Sequence, residues 1–176
     1  VTEFFRNGVA FDELRRRFVE PVMASADHGE TIRCWVPGCS TRQEAYSIAM
    51  LLMEAVSTSG KRIGVQVFAT DVDQAALRIA RAGVYPPAIA ELLPPERLER
   101  FFYKRGNHYV VKNDIRHNIV FAKHNLLEDP PFTRMDLVSC RNLLIYFRNE
   151  AQERVLRRLQ YALAPGGYLF MGSSET

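Results

Sequence analysis

Hydrophobic positions change their period along this chain in a regular order. Apolar runs with little polar alternation occupy Ile32–Pro37, Val65–Thr70, Ile119–Lys123, Met135–Cys140 and Tyr168–Gly172, and each predicts a strand buried on both faces. Between them the spacing becomes helical. Ala45, Ile48, Ala49, Leu52 and Val56 form a stripe over Glu44–Val56, ended by Ser57-Thr58-Ser59-Gly60,. A short helix is expected over Gln74–Ala82 with Gly83 as its stop,. Another is expected over Glu150–Ala164, closed by Pro165-Gly166-Gly167. At the front, Phe11, Leu14 and Phe18 predict a helix over Asp12–Val19, on which Arg15-Arg16-Arg17 form a solvated face,. Strands alternating with helices predict an α/β fold around a mainly parallel sheet.

The stretch from about 84 to 118 interrupts that rhythm. Pro86-Pro87 and Pro94-Pro95 bracket a short helical piece, and a further helix is expected near Glu96–Phe102. Arg105-Gly106-Asn107 signals a turn, after which Tyr109–Lys112 and the region to Asn118 are expected to be an antiparallel excursion,. The organisation predicted is one domain over 1–176 carrying a small inserted β-subdomain.

Composition narrows the function classes. Hydrophobic content of 47% and charged content of 24% are ordinary for a soluble globular protein,. The net charge is +3, with 23 basic residues interspersed among 20 acidic ones, so no nucleic-acid partner is expected. No run approaches the about 18 uninterrupted apolar residues of a membrane span and no signal-peptide pattern is read in these residues, so membrane insertion is not expected. Cys34, Cys39 and Cys140 are odd in number and lack a C-x-x-C spacing, which favours reduced thiols in a cytoplasmic setting. The histidines His28, His108, His117 and His124 share no metal-ligand spacing, and no metal is expected,. The chain opens on Val1 and ends abruptly at Thr176. It is expected to be a piece of a longer protein, with room for fusion to other signalling domains.

Ligands of open α/β sheets bind outside the carboxyl ends of the strands. Ile32 to Glu44 (I-R-C-W-V-P-G-C-S-T-R-Q-E) is a strand–loop–helix entry, with Gly38 as the only glycine of its loop. Strand-end positions then nominate Gly38 to Glu44, Asp71, Asn125, Arg141 and Asn142. Asp71 ends the second strand, where an acid can accept both ribose hydroxyls of a nucleoside; a helix N-cap is the competing role. A serine nucleophile elbow would need glycine where Arg42 stands and a late histidine, yet the last histidine is His124,.

Taken together, T-E-F-F-R, G-C-S-T-x-x-E-A-Y-S, A-T-D-V-D, A-R-A-G-V-Y, N-L-L, C-R-N-L-L-I-Y-F and L-A-P-G-G-Y-L-F-M-G-S-S-E resemble the CheR-type chemotaxis receptor methyltransferases. The resemblance runs from Thr2 to Glu175 in the family's order. It implies the class I S-adenosylmethionine-dependent methyltransferase fold, Rossmann-like, whose last two strands would lie beyond residue 176. It implies S-adenosyl-L-methionine as cofactor, S-adenosyl-L-homocysteine as product, and methyl transfer to glutamate carboxylates on the cytoplasmic domain of a chemoreceptor. By the same resemblance the cofactor would meet Thr2, Arg6, Gly38, Glu44, Asp71, Asn125, Leu126, Arg141 and Asn142. Glu44 would hold its ammonium, Asp71 its ribose, and Asn125 and Leu126 its adenine. Arg6 and Tyr146 would flank the methyl group and the substrate carboxylate. On residue type alone Arg6 reads first as an exposed cation beside a helix, and the resemblance turns that reading to function; Tyr146 is equally a core aromatic.

The chain departs from the family's G-C-S-T-G-E-E at Arg42 and Gln43. An arginine forced into a left-handed conformation costs about 1–2 kcal/mol. Gln43 removes a negative charge beside Glu44. These two residues motivate the alternative of a non-catalytic or weakened module that senses cofactor or docks a partner.

Overall fold

The computed structural model describes residues 3–39 and 43–175. The chain enters through α1 (Gly8–Leu14), a π-helical turn (Arg15–Val19) and α2 (Glu20–Ser25), which follow one another directly. This helical run is longer than Asp12–Val19 because its buried stripe, Phe11, Leu14, Phe18, Val19 and Met23, continues past Val19. The arginine run lies in the π turn on the solvent side: Arg15 pairs with Glu20 at 2.7 Å and Arg17 with Glu13 at 2.8 Å.

After β1 (Thr31–Pro37) come α3 (Gln43–Ser59), β2 (Gly64–Asp71) and α4 (Gln74–Ala82). Gly83 closes α4 in the left-handed region, φ 63°, as its sequence position predicts,. The insertion follows as β3 (Val84–Tyr85), α5 (Ile89–Leu92), α6 (Pro95–Phe101), β4 (Phe102–Arg105), β5 (His108–Val111) and α7 (Asn113–Arg116). The chain then alternates again through β6 (Ile119–Lys123), β7 (Met135–Cys140), α8 (Asn149–Ala162) and β8 (Leu163–Met171).

The central sheet has the order β6-β2-β1-β7-β8, and every neighbouring pair is parallel. Connections from β1 run one way to β2 and β6, while β7 and β8 build outward on the other side. The order therefore reverses between β1 and β7, the place where such sheets open a crevice at their carboxyl ends. The insertion forms a separate antiparallel sheet, β3-β5-β4. Its hairpin turns at Gly106, φ 55°.

Two local expectations are corrected. The antiparallel excursion stops at Val111, and Asn113–Arg116 is a helical turn instead. Ile115 is fully buried beneath it, and the Asn118 amide donates to the Asp114 carbonyl at 2.7 Å. Pro165-Gly166-Gly167 does not separate helix from strand. α8 ends at Ala162 and β8 starts at once, with an irregular register against Met135–Leu137. A side chain at 167 would lie 2.9 Å from the Met135 carbonyl oxygen, so the glycine lets β8 close on β7 there,.

β1 is the spine of two cores. Cys34 and Val36 pack with the helices α1 to α3, whereas Trp35 packs with Met135, Val138, Val155 and Leu159 beneath α8. That is the two-residue alternation of a strand covered on both faces. The Trp35 indole donates to the Thr70 hydroxyl at 2.9 Å, tying β1 to β2 inside the core. All three cysteines are buried free thiols, and burial pushes those of Cys39 and Cys140 up to about 12.

The end of α2 depends on a distant side chain. Lys61 donates to the carbonyls of Met23 (2.9 Å), Ala24 (3.2 Å) and Ala26 (2.8 Å), satisfying acceptors that a helix end leaves free and placing a cation at the negative end of its dipole. Lys61→Met keeps the aliphatic stem and removes all three bonds. A loss of about 1–3 kcal/mol is expected, seen in urea as a lower midpoint with an unchanged slope.

Candidate functional site

Three strands bring their carboxyl ends to one rim: β1 at Pro37, β2 at Asp71 and β7 at Cys140. A cavity of about 430 Å³ opens there. Arg6, Gly38, Glu44, Asp71, Asn125, Leu126, Arg141, Asn142 and Tyr146 all line it. Thr2 and Arg42 lie outside the described residues.

Glu44 stands in the first turn of α3. One of its carboxylate oxygens accepts from the Ser139 hydroxyl, and the other lies 3.8 Å from the Arg141 guanidinium. Burial raises the Glu44 pKa; the Ser139 bond and the Arg141 charge oppose that, Glu175 adds to it, and Arg6 pulls it back,. Ser139 was not nominated from sequence, because a single polar residue inside the apolar run Met135–Cys140 gives no signal of which way it points. Gln43, beside Glu44, holds a buried amide oxygen without a hydrogen-bond partner among the described residues.

Arg141 lines the cavity and is also built into the packing behind it. Its side chain is 4% exposed, sits over the rings of Phe170 (4.8 Å) and Phe11 (5.1 Å), and donates to the Arg6 carbonyl at 2.7 Å. Arg6 itself extends an exposed side chain along the cavity wall. The segment carrying it is fixed by the Phe5 N–H, which donates to Ser47 Oγ at 3.0 Å, and by Arg97, whose guanidinium lies 4.1 Å from the Phe5 ring centroid.

Asp71 is not the helix cap that competed with a ligand role. The cap of α4 is Asp73, which accepts from Ala75 N and Ala76 N. Asp71 uses Oδ1 to accept from Asp73 N at 2.9 Å, and Oδ2 has no protein partner among the described residues. Asn125 is locked by its own turn: its N–H donates to Asp129 and its side-chain oxygen accepts from Leu127 N at 3.0 Å. The next N–H, that of Leu126, has no hydrogen bond among the described residues. Asn142 lies in the left-handed region, φ 56°, with its side-chain oxygen 3.0 Å from the Ser174 hydroxyl. Tyr146 is 79% exposed, which excludes a core role, and it lines the cavity.

The donor set suits an S-adenosyl nucleoside. A buried acid with one open flank can take an ammonium, an acid with a free oxygen can take ribose hydroxyls, and an unpaired N–H beside apolar Leu126 can take a flat base. Val72, Leu143 and Phe147 complete an apolar wall that sequence reasoning did not nominate. Among the described residues no group of His, Cys, Asp and Glu could hold a metal ion, and no helix is long and apolar enough to cross a membrane.

The family model described as CheR methyltransferase, SAM binding domain, matches residues 1–176. The chain is 53% identical over 175 residues to an uncharacterized 104.1 kDa protein of Rhodobacter capsulatus, covering 99% of this chain and 18% of that one. It is 40% identical over 179 residues to chemotaxis protein methyltransferase 1 of Pseudomonas aeruginosa, covering 99% of this chain and 65% of that protein. The chain thus spans less than two thirds of these relatives. In fold it is similar to the glycopeptide N-methyltransferase MtfA complexed with S-adenosylhomocysteine, with a TM-score of 0.52 and 12% identity over 91% of this chain and 47% of that one.

Gly38 tests how tightly the rim is built. It has φ 62°, and a Cβ there would lie 2.6 Å from Leu143 Cδ1. Gly38→Ala is expected to destabilise by roughly 1–3 kcal/mol through backbone strain and crowding together. Adding Leu143→Ala relieves the crowding but not the strain, so a double-mutant cycle by denaturation shows non-additivity in Gly38's favour.

Proposed function

Because the chain belongs to the CheR methyltransferase family, spanning its SAM-binding domain with S-adenosylmethionine as cofactor, we propose that it methylates glutamate side chains on the cytoplasmic domain of a chemoreceptor. The observation that carries this reading is the meeting of Glu44, Asp71, Arg6 and Tyr146 at one cavity on the carboxyl rim of the sheet. The relatives named as chemotaxis methyltransferases support it, and the setting proposed is the cytoplasm.

When bound, S-adenosylmethionine supplies a methyl group already activated by its sulfonium. A glutamate carboxylate with an ordinary pKa of ~4.3 is already ionised at neutral pH, so the protein needs no general base. Its residues do three things. Glu44 pairs with the ammonium, Asp71 accepts ribose hydroxyls through Oδ2, and Asn125 with the Leu126 N–H borders the adenine. Arg6 and Tyr146, at the open end, orient the incoming carboxylate by donated hydrogen bonds. The apolar wall of Val72, Leu143 and Phe147 strips water from the site. Alignment and exclusion of water of this kind are worth as much as ~7–11 kcal/mol.

Incubating the protein with radiolabelled S-adenosylmethionine and receptor cytoplasmic fragments tests the reading. Base-labile label on the fragment is expected. Tight S-adenosylhomocysteine binding with no transfer would instead mark a module that senses cofactor, the role that Arg42 and Gln43 motivate.

Calorimetry with S-adenosylhomocysteine tests the individual residues. Glu44→Gln is expected to weaken binding about tenfold to a hundredfold, as loss of a charged hydrogen bond does. The pH dependence follows from the raised Glu44 pKa. An ammonium needs the ionised carboxylate, so affinity falls as pH drops through that raised value, earlier than an exposed glutamate would allow. Glu44→Gln removes that part of the pH profile. Tyr146→Phe is expected to leave cofactor affinity within about threefold and to lower transfer, whereas Arg6→Ala is expected to lower both.

A further inference from the structure

The chain's closing motif, Gly172-Ser173-Ser174-Glu175, does not line the cavity, yet its side chains grip the turn that does. Glu175 Oε1 accepts from Leu143 N at 2.7 Å, and Oε2 accepts from Ser174 Oγ at 3.0 Å. Ser174 Oγ also lies 3.0 Å from Asn142 Oδ1. The Glu175 N–H donates to the Gly172 carbonyl, and the Gly172 N–H donates to the Cys140 carbonyl. Gly172 makes room for the carboxylate, because a Cβ there would lie 2.5 Å from Glu175 Oε2 and 3.4 Å from the Arg141 Cα.

The turn held in this way is left-handed at Asn142, φ 56°, a conformation asparagine tolerates better than other residues with a side chain. Leu143 follows, with its side chain occupying the space a Cβ at Gly38 would need. The Leu144–Tyr146 turn then carries Tyr146 to the mouth.

We propose that Glu175 is a positioning residue for the methyltransferase site: through the Leu143 N–H and the Ser174–Asn142 contact it fixes the Arg141–Tyr146 turn in its binding geometry. This rests on the methyltransferase reading of the cavity. Reach matters more than charge, because the principal bond runs to a backbone N–H that needs an acceptor at the right distance. Glu175→Gln keeps an acceptor at that reach and loses the charge. Glu175→Asp keeps the charge and falls short by one methylene.

The test measures S-adenosylhomocysteine affinity of the full chain and of Glu175→Ala, Glu175→Gln and Glu175→Asp, by calorimetry well below the lowest melting midpoint of the set. Melting midpoints are recorded in parallel. Glu175→Ala and Glu175→Asp are expected to bind about tenfold more weakly, and Glu175→Gln within about threefold of the unmodified chain. Affinities of Ala and Asp variants equal to the unmodified chain, with lowered midpoints alone, would reduce Glu175 to a structural anchor and overturn the proposal. So would the reverse order, with Asp intact and Gln weakened, because the role would then be electrostatic. An unmodified chain that binds no S-adenosylhomocysteine overturns the cavity reading and this proposal with it, whereas binding without methyl transfer leaves the affinity series decisive.

Discussion

A buried guanidinium organises the working end of this molecule. Arg141 leaves β7 and is withdrawn from water almost entirely. A charge so placed must find compensation or it destabilises the fold by several kcal/mol. Its compensation comes from four separate places: Glu44 on α3, the Phe11 ring on α1, the Phe170 ring on β8, and the Arg6 carbonyl of the entering segment. None of these is adjacent to another in sequence. One cation thus makes the helix start, the last strand and the entering segment depend on each other at the rim where the cavity opens. The pair with Glu44 stays loose at 3.8 Å, so Arg141 does not close off that carboxylate.

The entering segment shows how the insertion serves the site without lining it. Phe5 and Asn7 both hold positive φ, 51° and 62°; asparagine tolerates this readily, whereas a bulky phenylalanine adopts it only under constraint. The constraint comes from both sides. Phe4 packs edge-on against Tyr85 of β3 and Phe102 of β4, with centroids at 4.8 and 5.6 Å. Phe5 is pinned from α6 by Arg97, itself held by Glu54 at 2.9 Å. The insertion is therefore a buttress: the aromatic residues of its sheet hold Phe4, Arg97 of α6 holds Phe5, and these two fix Arg6. A rearrangement in the insertion would reach the cavity through two residues.

The sheet was legible because its strands are apolar on both faces, and a run such as Ile32–Pro37 has few other physical explanations. The rim residues were legible for a second reason: once strand ends are known, the crevice rule selects Asp71, Asn125 and Arg141–Asn142. What sequence could not supply was direction and partnership. Ser139 is one polar side chain in an apolar strand, and only the packed structure turns it onto Glu44. A helix cap was the competing role of Asp71, and the structure gives that cap to Asp73. Arg141 was expected beside the cofactor, and what sequence did not show is that the same side chain is packed over Phe11 and Phe170 and bonded to the Arg6 carbonyl. The short helix at Asn113–Arg116 was missed because four residues are too few for a period to show,.

These features fit a site that positions rather than activates. A carboxylate acceptor with its ordinary pKa arrives charged, and a strong grip on that charge would slow it as a nucleophile. The two candidate contacts differ accordingly from the cofactor side of the cavity. Glu44 is buried and partnered, whereas Arg6 and Tyr146 are exposed at the mouth. Exposed donors lose much of their strength to water; on the proposed function they would orient a carboxylate weakly until the partner's own surface closed over them. On the proposed function, a free glutamate would then be a poor acceptor, since it brings no surface to exclude that water. Selectivity for a protein substrate follows from an open mouth as directly as it would from a specific pocket.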